Sequence, residues 1–580
     1  MNSTHLSALS LTFIIYAILA IAYFGWGKAI TYLLGLNRGE NHYLTADIWM
    51  GWAFCLLLFQ LIHFVLPITA FVVVPVLLIG ITFAVLQILK AYRHFTDRRS
   101  ILMLVVWFAI AIVVSAWIAS RSMVPPDNYD AGLYYFNKMR WINTFPIVPG
   151  LGNLYGRLAF NHSFFTYAAA LNLYPFFGHG RSIANSFLLL LTVATFIDFL
   201  RPAIKQPSLL IESHPFQYTS IIILFPALAY LAFSSNGLSS PSPDLTSTLL
   251  QLTMMILLIQ GIGEWQNGRT DQKYRAVYLS ILAITAVTVK LSNLAFSATI
   301  IGFIVLYTRK SPATQLVVRT TALSVIMILV WCLQSIVLSG APLYPSTIGY
   351  LPVEWAVPIE KVAEEARWVY SWARYPGPHW RDVLGNWNWI TPWLIRMFKD
   401  NLTNVVYPLI VAVLFFVITF AISRTKKCSS PRYLEWAILF PPVIGLIYWF
   451  FSAPEPRFAH ALFLIISMCS ILLFLISIQN ISNRRVLLTL MCIAFVIANI
   501  HFIAYFVENR VVIKSISGFG WYPVKTVPLD IKVTSSGLSV YTPQAGDQSW
   551  DSPLPSTPYF DSRLKLRNPE SMSSGFTTTR

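Results

Sequence analysis

The chain reads as an all-α polytopic membrane protein, and three observations lead there. Its 580 residues are 56% hydrophobic and only 11% charged, with a mean hydropathy of +0.62. An average soluble domain carries about 25% charged residues, so a globular cytosolic protein is excluded. Apolar runs of roughly twenty residues recur along most of the length, enough for a helix to cross about 30 Å of hydrocarbon with its backbone hydrogen bonds satisfied internally. The basic excess, a formal charge of +17, sits mostly in short loops between these runs. That is the positive-inside pattern of a membrane protein, and it excludes nucleic acid as a partner.

Taken in order, the runs predict about fourteen spans: 11–36, 47–66, 68–90, 101–120, 182–201, 217–234, 245–263, 275–289, 291–308, 315–338, 402–422, 433–451, 458–478 and 484–506. The first run is too long for a signal-peptide core and lacks a basic leader. Basic KAYRHFTDRRS at 90–100 belongs in the cytoplasm, and alternation then puts YTRK (307–310), SRTKKCSSPR (423–432) and NRR (483–485) on the same side. The segments 121–180, 235–244, 339–400, the turn at Glu455 and the tail from 507 fall outside. The domain plan is a three-span N-terminal addition (1–100), a transmembrane core (101–338) with its first outer loop, a Trp-rich outer loop (339–400), late spans (401–506) and an outer tail (507–580).

Cys55, Cys332, Cys428, Cys469 and Cys492 form no CxxC pair and no Cys/His cluster, so neither a disulfide framework nor a zinc site is expected. Outer loops of forty to sixty residues in a compact membrane protein are functional or disordered. The 339–400 loop holds Trp355, Trp368, Trp372, Trp380, Trp387, Trp389 and Trp393 of the nineteen tryptophans, which argues against disorder. Two roles are open to them: an interfacial aromatic belt, or a wall for carbohydrate, since indole faces stack against sugar C–H faces.

PPDNYDAG at 125–132 places Asp127 and Asp130 where a span emerges. Either carboxylate can cap a helix: Asp127 after Pro125-Pro126, Asp130 before AGLYYFNKMRWI. Downstream come Tyr134, Trp141-Ile142, Phe177-Gly178 and Arg181. Ser-Pro-Ser-Pro-Asp-Leu (240–245) follows with Asp244, then VTVKLSNLAF with Lys290, SGAPLYP (339–345) with Tyr344, and Glu455-Pro456-Arg457-Phe458. In this order they resemble the GT-C superfamily of membrane glycosyltransferases, which includes lipid A aminoarabinose transferases and protein O-mannosyltransferases. The resemblance covers roughly 101–506. VPGLGNLYGRLAFN and the tail stretch GDQSWDSPLPSTPYF further resemble a group of bacterial GT-C-like membrane proteins.

The resemblance implies transfer of a sugar, with inversion, from a polyprenyl-phosphate donor to a glycan, lipid or protein acceptor outside a bacterial inner membrane. The family's catalytic aspartate corresponds to Asp130, with Asp127 as runner-up and Asp244 as a second acidic residue. Lys290 and Arg457 correspond to cations for the donor phosphate; each can also be read as a snorkelling or loop-pairing residue, Arg457 with Glu455. Tyr134, Arg140, Arg157, His162, Tyr344 and Trp355 are candidate substrate contacts, with His179 a further polar residue of the first loop. No metal is assigned, although Asp127, Asp130 and Asp244 form a conceivable carboxylate site. Two rival readings stay open: an O-antigen polymerase or ligase using Arg367, Arg374, His379 and Arg381, and a lipid-linked sugar flippase with charges near the bilayer midplane. Aromatic residues in the tail (Trp521, Tyr522, Trp550, Tyr559, Phe560) predict that it folds back over the outer loops.

Overall fold

A computed structural model describes residues 3–36, 44–91, 111–205, 215–234, 236–266, 273–308, 314–424, 433–478, 484–509 and 520–578. Ten helices among them are long and apolar enough to cross a membrane, and the chain is a mostly helical polytopic membrane protein rather than an all-α one, with strands in its tail. The other four expected spans fall on shorter helices: Ala111–Ser122, Thr219–Ala232, Lys273–Val289 and Leu291–Leu306. The basic stretches at 92–100, 309–310, 425–432 and 483, the residues 101–110 of the fourth expected span, Cys428 and the start of the tail at 510–519 lie outside the described residues.

Apolar side chains cover both the interior and the outside of the bundle. Phe71, Leu78, Ile410, Val413 and Val417 are exposed on helices whose other faces are packed. In water such patches would drive association; against lipid tails they cost nothing. Pro243–Ile262 and His460–Ile478 form the centre, being enclosed by other helices over nearly all of their apolar windows.

The first three helices, Ser3–Leu33, Leu44–His63 and Ala70–Ala91, pack on one another where backbones nearly touch. A methyl group at Gly51 would lie 1.8 Å from the Tyr23 carbonyl oxygen, and one at Gly25 1.8 Å from that of Gly80. Such close approach lets apolar helices associate without a hydrophobic driving force between them. This unit is not detached: Trp49 Nε1 donates to Thr195 Oγ1 at 3.0 Å, and Gln60 Nε2 to Gln334 Oε1 at 2.9 Å.

The loop 121–180 builds a π-helical turn (Ala131–Tyr135), the helix Phe136–Thr144 and the helix Ser163–Ala170, all buried but for Arg140 and Thr144. Over it lies the tail, with two antiparallel hairpins: Leu529–Val533 pairs with Ser539–Pro543, and Leu564–Leu566 with Phe576–Thr578. Their contacts meet the expectation of a fold-back. Trp550 N–H donates to the Gly132 carbonyl at 2.8 Å, Phe576 N–H to that of Pro149 at 2.9 Å, and Arg181 Nη2 to that of Tyr522 at 2.6 Å.

Candidate functional site

Four of the residues singled out above meet in one chain of charges. Asp130 follows the extended Pro125–Asp127 stretch and opens the π-helical turn. Its carboxylate makes no capping bond there, so the capping reading fails for it. Asp130 Oδ2 instead accepts from Arg457 Nη1 at 2.7 Å and from the Tyr135 hydroxyl at 3.5 Å. Its own N–H donates to Asn128 Oδ1 at 3.0 Å, which fixes the turn. A π-turn is uncommon and concentrates at functional sites.

Asp244 is the second residue of the helix Pro243–Gln266. Its N–H donates to Ser242 Oγ at 3.3 Å, so Ser242 serves that helix start. The Asp244 carboxylate is left to pair with the Lys290 ammonium through Oδ1 and to face Arg457 Nε at 3.9 Å through Oδ2. Lys290 stands between the helix Lys273–Val289 and the next, its Nζ 3.7 Å from the centre of the Phe458 ring. Arg457 does not pair with Glu455, as the short turn suggested. Glu455 takes Arg396 at 3.4 Å, and Arg457 bridges the two aspartates.

The electrostatics follow from this alternation. Burial alone would lower the Arg457 pKa, but the flanking Asp130 and Asp244 carboxylates outweigh it and hold the guanidinium charged far above the usual range. Lys290 is pulled below its ordinary value by burial, which Asp244 only partly offsets. His162, with Nδ1 3.0 Å from the Val289 carbonyl oxygen, is lowered to about 4 by burial and then by the nearby Lys290 charge.

A cavity of about 360 Å³ lies against the Asp244–Arg457 part of this chain, its wall including Ser242, Asp244, Asn401, Asn404, Glu455 and Arg457, while Asp130 and Lys290 stand outside its lining. The Arg457 side chain is 42% exposed while Asp130 is only 10% exposed, so the cation, not the anion, presents itself to a ligand. No residue of the 339–400 loop is among this cavity's lining residues; Asn401 and Asn404, just beyond that loop, are.

The remaining candidates divide. Tyr134 packs edge-on against Tyr135 at 4.7 Å, beside the charge chain. Arg157 lies 4.1 Å over the Trp368 ring and 3.8 Å from Glu365, whose carboxyl is raised by burial; Tyr344 packs against Phe160 at 5.7 Å. Asp127 is not in the charge chain: it lines a second cavity toward the tail. Arg140 is held by Asp551 of the tail, with Nη1 2.7 Å from its carbonyl oxygen. Trp355 stacks under Arg567 of the tail at 5.0 Å. His179 stacks on Trp521 at 4.6 Å.

Trp389 and Trp393 are core residues packed against Phe450, whereas Trp387 is exposed. The four residues of the polymerase-type reading do not converge. Arg374 is buried and spends its guanidinium on the carbonyls of Tyr370, Phe451 and Ser452, Arg381 pairs with Glu364, and His379 faces Asp382.

Sequence reasoning missed Tyr135, Asn401, Asn404 and Glu365. None stands in a motif, and Tyr135 is indistinguishable from Tyr134 until the π-turn sets its direction. Among the described residues no group of three or more His, Cys, Asp or Glu side chains is placed to hold a metal ion.

No curated protein and no solved structure matches the chain. A family model described as a domain of unknown function, DUF8201, matches residues 9–464, and the chain belongs to that family.

Proposed function

We propose that this protein is a membrane glycosyltransferase that moves a sugar from a polyprenyl-phosphate donor to an acceptor on the outer face of a bacterial inner membrane. The observation that carries the reading is the Asp130–Arg457–Asp244–Lys290 chain beside a cavity at the ends of membrane helices. Fixed cations there neutralise a departing phosphate with little reorganisation, and a carboxylate nearby serves as general base.

In the resting arrangement Arg457 is bonded to Asp130 and occupies the carboxylate oxygen that would take a proton. A donor phosphate entering the cavity competes for the exposed guanidinium and releases Asp130. The acceptor O–H proton then passes to Asp130 as its oxygen bonds to the anomeric carbon. The bond from that carbon to the phosphate oxygen breaks, and its electron pair leaves on the phosphate beside Arg457 and Lys290. Binding of the donor therefore switches on the base.

The test uses the full chain in lipid nanodiscs with a panel of polyprenyl-phosphate hexoses and pentoses, scoring release of polyprenyl phosphate. Asp130→Asn keeps the side chain's shape but removes proton acceptance, and release should fall about 10²–10⁴-fold. Wild-type protein that releases nothing from any donor, together with cell-surface glycans unchanged on deletion of the gene, would sink the reading.

A further inference from the structure

The second cavity, about 390 Å³, lies between the Asp127 loop and the tail, and its wall includes Asp127, Asn128, Tyr129, Lys525, Gln548 and Trp550. It shares Asn128 and Tyr129 with the cavity of the charge chain, so one loop divides the two spaces. We propose that this second cavity binds a saccharide unit, and, resting on the glycosyltransferase reading, that the unit belongs to the acceptor, which is then a glycan.

The walls are built, not incidental. Trp550 holds a left-handed backbone with φ of +49°, a strained conformation for a bulky residue. Its indole stacks on Phe136 at 5.9 Å and fills the space over Gly132, where an added Cβ would lie 2.6 Å from the ring. Gln548 Nε2 donates to the Tyr129 carbonyl at 2.8 Å, and Asp547 accepts from the hydroxyls of both Tyr129 and Tyr559. The tail thus clamps the edge of Tyr129 while leaving that residue 58% exposed.

The uncommitted groups select the ligand class. Among the described residues the Asp127 carboxylate takes no side-chain hydrogen bond; only its own backbone N–H and the Arg121 charge act on it. Among the described residues Lys525 pairs with no carboxylate, and its Nζ lies 5.9 Å from the centre of the Trp550 ring. A purely apolar ligand would strip water from both charges without replacing it, and a phosphate would meet the Asp127 charge. A pyranose meets all the requirements: its C–H face covers an exposed aromatic ring, and its hydroxyls donate to a carboxylate and accept from an ammonium. Tyr129 directly precedes Asp130, so a sugar resting on it is held next to the charge chain.

Saturation-transfer difference NMR on the full chain in nanodiscs tests this, with methyl glycosides of glucose, galactose, mannose, rhamnose and N-acetylglucosamine as probes. At least one glycoside should receive saturation. The signal should fall tenfold or more in Lys525→Ala and in Asp127→Asn, both of which change exposed side chains, and should persist in Asp244→Asn. No signal from any glycoside, or equal signals in wild type and both cavity variants, overturns the site. A signal that behaves as expected, in a protein that releases no polyprenyl phosphate, keeps the saccharide site and removes only its assignment to an acceptor.

Discussion

The molecule holds two carboxylate-centred charge clusters, one closed and one beside a cavity. Asp47 lies near the start of Leu44–His63, pairs with Lys28 at 2.5 Å and accepts from the Tyr274 hydroxyl at 2.9 Å. The carbonyl of His63, at the far end and about 24 Å away at 1.5 Å per residue, accepts from Ile147 of the loop that carries Asp130. Both clusters join distant parts of the chain through carboxylates. The first is closed, with Lys28 12% and Asp47 0% exposed, and it ties the N-terminal helices to the core. The second borders a cavity and offers a cation 42% exposed. A buried ion pair is weak evidence for function by itself. What separates the two is unspent capacity: Arg457 can take a further anion, and the Asp47 cluster is complete.

The largest expected contrast comes from removing one charge in each cluster. Asp130→Asn should cost transfer about 3–5 kcal/mol of barrier with a small change in melting temperature. Asp47→Ala should cost about 3–5 kcal/mol of stability, because Lys28 is left buried without its partner. Transfer assays and thermal unfolding in detergent read both, and the reverse pattern would erase the distinction.

Acid should act on the open cluster. The unfolded chain protonates His162 at its ordinary value of 6.5, whereas the folded protein resists protonation down to about 4. Stability is therefore whole above pH 6.5 and declines as pH falls through that window, by about 2 kcal/mol at pH 5. Comparing melts at pH 7 and pH 5 for wild type and His162→Gln isolates this contribution; an equal acid-side loss in both assigns it elsewhere.

Smaller effects refine the comparison. Arg457→Lys keeps the charge but loses the fork that reaches both Asp130 and Asp244. It should lower kcat/KM about tenfold, roughly 1.4 kcal/mol, and an unchanged value would mean that a point charge suffices there. Arg140→Ala removes an exposed pair with Asp551 and should change stability by less than about 1 kcal/mol. A larger loss would show that the tail is held at that one point rather than along its length.

The hydrophobic runs alone determined the membrane-spanning class, because a helix crossing lipid must be apolar along its whole length whatever its neighbours. Asp130, Asp244, Lys290 and Arg457 were legible as a set because the order of their motifs resembles that of a known superfamily, and Lys290 also because a lysine flanked by apolar residues is costly. Their roles were not legible. Whether Asp130 capped its own turn or reached Arg457, 327 residues away, depended on a π-turn that no periodicity signals. Asp127 and Asp130, three positions apart, likewise look like a pair in the sequence, yet the fold turns Asp127 to the second cavity and Asp130 to Arg457. Trp550 meets Gly132 only after the tail has crossed back over the bundle. Burial cost is a local property and can be read along a chain, whereas a partner is a place in space, and only tertiary packing brings the two ends of a contact together.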